Sequence, residues 1–128
     1  MARMCDPIRV LIVDDELLVR WALARMLNHY GCIVVERDDA ASATRALAES
    51  SDPFDVILLD YNLPDSRDVH LLTTVKRLAP SSNVMMLSAH MTREEVDEAI
   101  CLGASAFVPK PFDLDAVWEL IRKARSRQ

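Results

Sequence analysis

Val56-Ile57-Leu58-Leu59-Asp60 sets four consecutive apolar residues directly before a carboxylate, just after Pro53 has punctuated the chain. A strand with one wet face alternates apolar and polar residues. An unbroken apolar run is what a parallel strand covered on both faces requires. Two further runs read the same way: Ile8-Arg9-Val10-Leu11-Ile12-Val13 upstream and Val84-Met85-Met86-Leu87 downstream.

Between these runs the apolar period becomes helical. Val19, Leu23, Met26, Leu27 and Tyr30 form a first stripe, and Gly31 is placed to cap its end. Cys32 to Val35 makes a second strand, followed by an alanine-rich helix with Ala43, Ala46 and Leu47 on one face and Asp39 as candidate cap. A third helix carries Leu71, Leu72, Val75 and Leu78, and Pro80 stops it. Thr92 and Glu95 stand at capping-box spacing to open a fourth helix, which closes at Gly103. Ala106-Phe107-Val108 is a short fifth strand, and Asp113 can cap a last helix bearing Leu114, Val117, Leu120 and Ile121. Five β/α repeats with short connections predict one α/β domain over residues 1–128, with its core at about 8–124. The sheet is parallel and doubly wound, with right-handed crossovers.

Composition agrees. The chain has 128 residues, 51% hydrophobic and 27% charged, which is ordinary for a globular protein. Only 2 residues are Gly, which argues against a glycine-rich phosphate cradle. A net charge of −5 gives no general attraction to nucleic acid, and the basic run Arg122, Lys123, Arg125, Arg127 suits the negative end of a helix. The 3 cysteines, Cys5, Cys32 and Cys101, have no CxxC spacing and read as free thiols. No apolar stretch is long enough for a signal peptide or a membrane span, so the expected location is the cytoplasm, with no membrane partner.

In open α/β sheets, ligands bind outside the carboxyl ends of the strands. The residues found there are Asp14-Asp15-Glu16 after the first strand, Asp60 and Asn62 at the third, Ser88-Ala89 at the fourth and Lys110 after the fifth. Singly, each has a plainer explanation. Asp14 and Asp15 can cap a helix, Asp60 can form a turn, Ser88 can be structural, Lys110 can be a surface charge and Phe107 a core residue. Together they bring two or three carboxylates to one edge, repelling by several kcal/mol each at ~4 Å and an effective dielectric near 20. A lysine relieves this in part, and a magnesium ion, which prefers oxygen ligands, relieves it better. With such compensation Asp60, on the central strand between the acid pair and Lys110, is the carboxylate best placed to attack phosphorus. Lys110 and magnesium then neutralise the phosphoryl oxygens, and Ser88 donates a hydrogen bond.

Four blocks in order, Val10-Leu11-Ile12-Val13-Asp14-Asp15-Glu16, Asp60-Tyr61-Asn62-Leu63-Pro64-Asp65, Ser88-Ala89 and Phe107-Val108-Pro109-Lys110-Pro111-Phe112, resemble receiver domains of two-component response regulators. The resemblance covers nearly the whole chain and implies a flavodoxin-like (βα)5 fold of strand order 2-1-3-4-5. It implies Asp60 as phosphoacceptor, Asp15 as direct magnesium ligand, Asp14 as a ligand through water, and the backbone carbonyl of Asn62 on the metal. Ser88, the Ala89 N–H and Lys110 would contact the phosphoryl group, the Lys110-Pro111 bond would be cis, and Phe107 would change rotamer with Ser88 on activation. The partners implied are a sensor histidine kinase or phosphotransfer protein, and an effector reached through the face of helix four, strand five and helix five. A homodimer on phosphorylation is also within the family's range. Such a domain is a phosphoacceptor that assists its own chemistry and is not an enzyme in the turnover sense. One departure is Asp68-Val69, where the family usually has Gly after the aspartate. His90, two residues after Ser88, falls where receivers tune phosphoryl lifetime.

Three rival functions share parts of this pattern. A dehalogenase-type phosphatase needs a second aspartate two residues after its nucleophile as general acid, and Asn62 occupies that position. A flavin module of this topology needs a hydroxyl- or glycine-rich loop for phosphate, and Asp14-Asp15-Glu16 would repel one. A degenerate receiver acting only as a binding module conflicts with the complete acceptor set. The segments Leu63-Pro64-Asp65-Ser66 and Pro111-Phe112-Asp113-Leu114-Asp115 resemble receivers attached to AAA+ enhancer-binding regulators. Two organisations therefore fit: a free-standing regulator, or the N-terminal part of a longer transcription factor.

Overall fold

A computed structural model describes residues 6–66 and 69–126. Its elements alternate strictly: β1 (Arg9–Val13), α1 (Leu17–His29), β2 (Ile33–Arg37), α2 (Ala40–Glu49), β3 (Val56–Asp60), α3 (His70–Leu78), β4 (Asn83–Ser88), α4 (Arg93–Cys101), β5 (Ala104–Pro109) and α5 (Leu114–Ser126). All strand pairs are parallel, in the order β2-β1-β3-β4-β5. The architecture is the expected doubly wound, flavodoxin-like α/β sheet.

The apolar runs divide residue by residue between two cores, because successive strand side chains point to opposite faces. Val10 and Ile12 of β1, Val56 and Leu58 of β3, Met85 and Leu87 of β4 and Val108 of β5 pack with Leu23, Leu27, Val117 and Ile121 beneath α1 and α5. Their neighbours Leu11, Val13, Ile57, Leu59, Val84 and Met86 pack with Ala43, Leu47, Leu72, Val75 and Ala99 beneath α2, α3 and α4. This double coverage is why no polar residue interrupts the central strands.

Local signals act where expected. Asp39 accepts the Ser42 N–H at 2.8 Å to cap α2, and Thr92 and Glu95 form the reciprocal capping box of α4. Gly31 lies at φ +83°, with its N–H on the Asn28 carbonyl (3.0 Å) and the Cys32 N–H on that of Leu27 (3.0 Å). That pair of bonds is a Schellman closure of α1. β2 therefore runs Ile33–Arg37 and not Cys32 to Val35: its first bond to the sheet is from the Ile33 N–H to the Ile8 carbonyl at 2.9 Å, while Cys32 belongs to the closing turn. Two apolar residues leave the expected stripes. Tyr30 follows the end of α1, remains 45% exposed, and stacks on Trp118 of α5 with centroids 4.2 Å apart. Leu78 ends α3 at 39% exposure. Cys5, Asp68 and Arg127 lie outside the described residues.

The two-core packing sets a contrast. Leu58 is fully buried and Leu18 is 78% exposed. Leu58→Ala is expected to lower unfolding free energy by about 2–5 kcal/mol, and Leu18→Ala to change it by less than about 0.5 kcal/mol. Urea unfolding of both variants checks this, and comparable losses would contradict the packing.

Candidate functional site

The strand alternation carries on past the strand ends and builds the site. Asp14 lies two residues beyond Ile12, Asp60 two beyond Leu58 and Lys110 two beyond Val108, so all three inherit the face covered by α1 and α5. The Lys110 Nζ stands 2.7 Å from Asp14 Oδ2, 2.9 Å from Glu16 Oε1 and 3.4 Å from Asp60 Oδ2. Its backbone N–H donates to the Ser88 carbonyl at 2.8 Å, which continues the β4–β5 pairing to the site. The Lys110-Pro111 peptide is cis, as the resemblance implied.

Asp14 is completely buried and held by the backbone around it. Its N–H donates to the Arg37 carbonyl (3.1 Å), its own carbonyl accepts from the Arg20 guanidinium (2.7 Å), and its Oδ1 accepts the Glu16 N–H (2.8 Å). Helix α1 begins after Glu16, and no side chain caps it. The plainer explanation of the acid pair as helix caps therefore does not hold. Asp15 is exposed. Asp60 is 4% exposed and takes the Asn62 N–H on Oδ1 at 3.1 Å. Ser88 is fully buried, with its Oγ accepting the His90 N–H at 3.0 Å, and Ala89 beside it is exposed. Phe107 is half-buried and packs against the core beneath α2, α3 and α4, opposite in sheet face to the Asp14–Asp60–Lys110 group.

Burial raises the Asp60 pKa to about 7. The neighbouring Asp14 charge pushes the same way, while the Asn62 N–H and Lys110 pull it down. For Lys110, burial works against the charge, but the bonds to Asp14 and Glu16 and the Asp14 and Asp60 charges together hold the ammonium above its ordinary range. One carboxylate oxygen from each of Asp14, Asp15 and Asp60 lies within 4.8 Å of the other two. Such an all-oxygen donor set, two members of it buried, fits a hard divalent cation.

The sequence places Glu16 at this edge without a role, and it does not point to Arg20 at all. Glu16 is the second carboxylate on Lys110, and Arg20 ties the Asp14 carbonyl to β2, its Nε lying 3.5 Å from Glu36 Oε1. Arg20 had no sequence signal, because Glu36 reaches it only through the pairing of Ile12 with Glu36 across β1 and β2.

Residues 10–122 match the family model of the response regulator receiver domain. The chain belongs to that family. Among its relatives, the DNA-binding transcriptional regulator NtrC of Proteus hauseri is 33% identical over 90% of this chain and 24% of its own length. The chemotaxis protein CheY of Bacillus subtilis is 32% identical over 90% of this chain and 95% of its own. In fold, the CheY-like receiver domain protein of Methanospirillum hungatei superposes with a TM-score of 0.84 at 22% identity, over 96% of this chain and 100% of that one. This receiver thus spans about a quarter of the NtrC relative. Among the described residues, no helix is long and apolar enough to cross a membrane.

The raised Asp60 pKa carries a stability consequence. A carboxyl whose folded pKa exceeds its unfolded value holds its proton better when folded. It therefore costs stability as pH rises from about 4 to about 7, and the cost is level above that. With divalent cations chelated, Asp60→Asn removes the buried charge. It should stabilise the receiver by about 4 kcal/mol at pH 8, and much less at pH 4. Urea midpoints at the two pH values test this, and a gain that does not grow with pH would refute it.

Proposed function

We propose that this receiver is a phosphoacceptor switch. Asp60 takes a phosphoryl group from a sensor histidine kinase or phosphotransfer protein in a magnesium-dependent reaction, and the surface of α4, β5 and α5 changes in response. The observation that carries this reading is the buried Asp60 carboxylate facing both the acid pair and the Lys110 ammonium on one sheet edge.

Asp15 and Asp60 would hold magnesium directly, Asp14 through water, and Asn62 through its backbone carbonyl. When bound, the ion supplies positive charge between the carboxylates and the incoming phosphoryl oxygens. The remaining work falls to the chain. An Asp60 oxygen attacks phosphorus as the phosphorus–nitrogen bond of the donor phosphohistidine breaks, leaving an aspartyl phosphate. The Asn62 N–H on Oδ1 fixes the carboxylate plane for that attack. Lys110 neutralises a phosphoryl oxygen, while the Ser88 hydroxyl and the Ala89 N–H donate to the others. The Ser88 Oγ accepts the His90 N–H and keeps its own O–H for donation, so a turn of that side chain toward the phosphoryl group is shared with His90. The space it leaves admits the Phe107 ring, and the two side chains form the switch.

The functional unit is residues 1–128 with its core at 8–124, acting in the cytoplasm as an acceptor and not as a turnover enzyme. The length of the NtrC relatives favours a downstream effector, joined or separate, that regulates transcription through the α4–β5–α5 face. A phosphorylation-induced homodimer through the same face is compatible with this, and direct nucleic-acid contact by this domain is not part of the proposal. The degenerate-receiver alternative lacks a supporting observation, since every acceptor-site residue is present.

Acetyl phosphate with magnesium is expected to add one acid-stable, base-labile phosphoryl group, seen as a single mass increment, and Asp60→Asn to abolish it. Undiminished labelling of Asp60→Asn would remove Asp60 from the reaction. In calorimetric magnesium titrations, Asp15→Ala should weaken binding, whereas Lys110→Ala should leave it unchanged or tighter, having lost a nearby positive charge. Equal affinity in wild type and Asp15→Ala would eliminate Asp15 as a ligand.

A further inference from the structure

Tyr61 follows the acceptor in sequence but serves a different element. Its ring is buried in the core beneath α2, α3 and α4, and its N–H donates to the Leu87 carbonyl at 2.9 Å. Its hydroxyl donates to Glu95 Oε2, in the first turn of α4, at 2.5 Å. The other oxygen of the same carboxylate, Oε1, accepts the Thr92 N–H at 2.9 Å, and the Glu95 N–H returns a bond to Thr92 Oγ1 at 3.1 Å. Both oxygens of Glu95 are therefore engaged, one by the cap of its own helix and one by the residue next to Asp60. The Thr92 backbone bond, then the Tyr61 hydroxyl, hold the Glu95 carboxyl below its usual range. The hydroxyl thus donates to an ionised group, the stronger class of hydrogen bond.

The loop that carries Tyr61 is anchored on its far side too. Leu63 is buried, and Leu63 and Ser66 exchange backbone bonds of 2.8 and 3.3 Å. The Asp65 carboxylate accepts the Ala40 N–H at 2.7 Å and the Ala41 N–H at 3.0 Å, capping α2 from outside that helix. Of the two partners, Tyr61 is thus fixed to the sheet and to α2. Glu95 belongs to a helix that follows Ser88 through residues 89–91, which are exposed or half-buried.

We propose that the Tyr61–Glu95 hydrogen bond is a latch that holds the first turn of α4 in its resting position against the acceptor loop. It opens when Ser88 turns toward a phosphoryl group on Asp60 and draws residues 89–91 with it. The inference rests on the acceptor reading given above. A displacement of roughly 1 Å takes such a contact outside hydrogen-bonding distance, so a small movement suffices. By reciprocity, a partner that binds α4 in its released position strengthens phosphoryl binding at Asp60.

Tyr61→Phe keeps the buried ring and removes only the donor. Glu95→Gln keeps the shape and removes the charge. In the free protein both should speed amide hydrogen exchange at Glu95 and Val96 several-fold, Tyr61→Phe more strongly, without altering exchange in β3. Tyr61→Phe should also bind beryllofluoride with magnesium about five-fold more tightly, at the low end of usual site-to-site coupling. Its α4 amide signals before ligand should be displaced along the direction that ligand induces in wild type. Unchanged α4 exchange in Tyr61→Phe, or beryllofluoride affinity equal to or weaker than wild type, would overturn the latch. A wild type that fails to bind beryllofluoride would instead strike the acceptor reading, and the free-protein exchange would still decide whether Tyr61 restrains α4.

Discussion

Two carboxylates with almost no access to water, Asp14 and Asp60, lie at the ends of adjacent strands, and the ammonium of Lys110 reaches both. At such separations like charges repel by about 4 kcal/mol at an effective dielectric near 20. The sheet edge is tenable because the fifth strand delivers an opposite charge to the same side. That delivery depends on register. A shift of one residue in β4–β5 would turn Lys110 to the other face of the sheet and leave the acids uncompensated. Burial, with the Asp14 charge added to it, still raises the Asp60 pKa against the pull of the Asn62 N–H and Lys110. The clustered oxygens of Asp14, Asp15 and Asp60 fit a hard cation.

The buried frame was legible because its determinants are local and periodic. Unbroken apolar runs gave β1, β3 and β4, Gly31 and Pro80 gave helix ends, and Asp39 and the Thr92–Glu95 pair gave helix starts. The grouping of Asp14, Asp60 and Lys110 was legible for a related reason. A period of two, continued past each strand end, sends all three to one face. The same period puts Phe107 on the opposite face, among residues beneath α2, α3 and α4.

Contacts between residues far apart in sequence and set by packing were not legible. Asp65 caps a helix that begins 25 residues before it, and Tyr61 reaches Glu95 across 34 residues. Tyr30 meets Trp118 only because α1 and α5 share a face. In each case the side chain types are compatible with many partners, and the choice falls to the crossover geometry. The expected second strand, Cys32 to Val35, differs from β2 at both ends because Cys32 belongs to the closing turn of α1 and the pairing with β1 continues to Arg37.

The sheet does not close on itself, so β2 and β5 are its borders and each has an outer row of backbone donors and acceptors facing no strand. Such borders invite a second chain to add itself as a further strand. Here β2 ends in Glu36 and Arg37, and β5 ends at Pro109, which has no N–H to offer. Both borders are short, at 5 and 6 residues, and polar or proline-terminated where they approach the site. Short borders that end in charge or proline guard an open sheet against runaway strand addition and fibril growth.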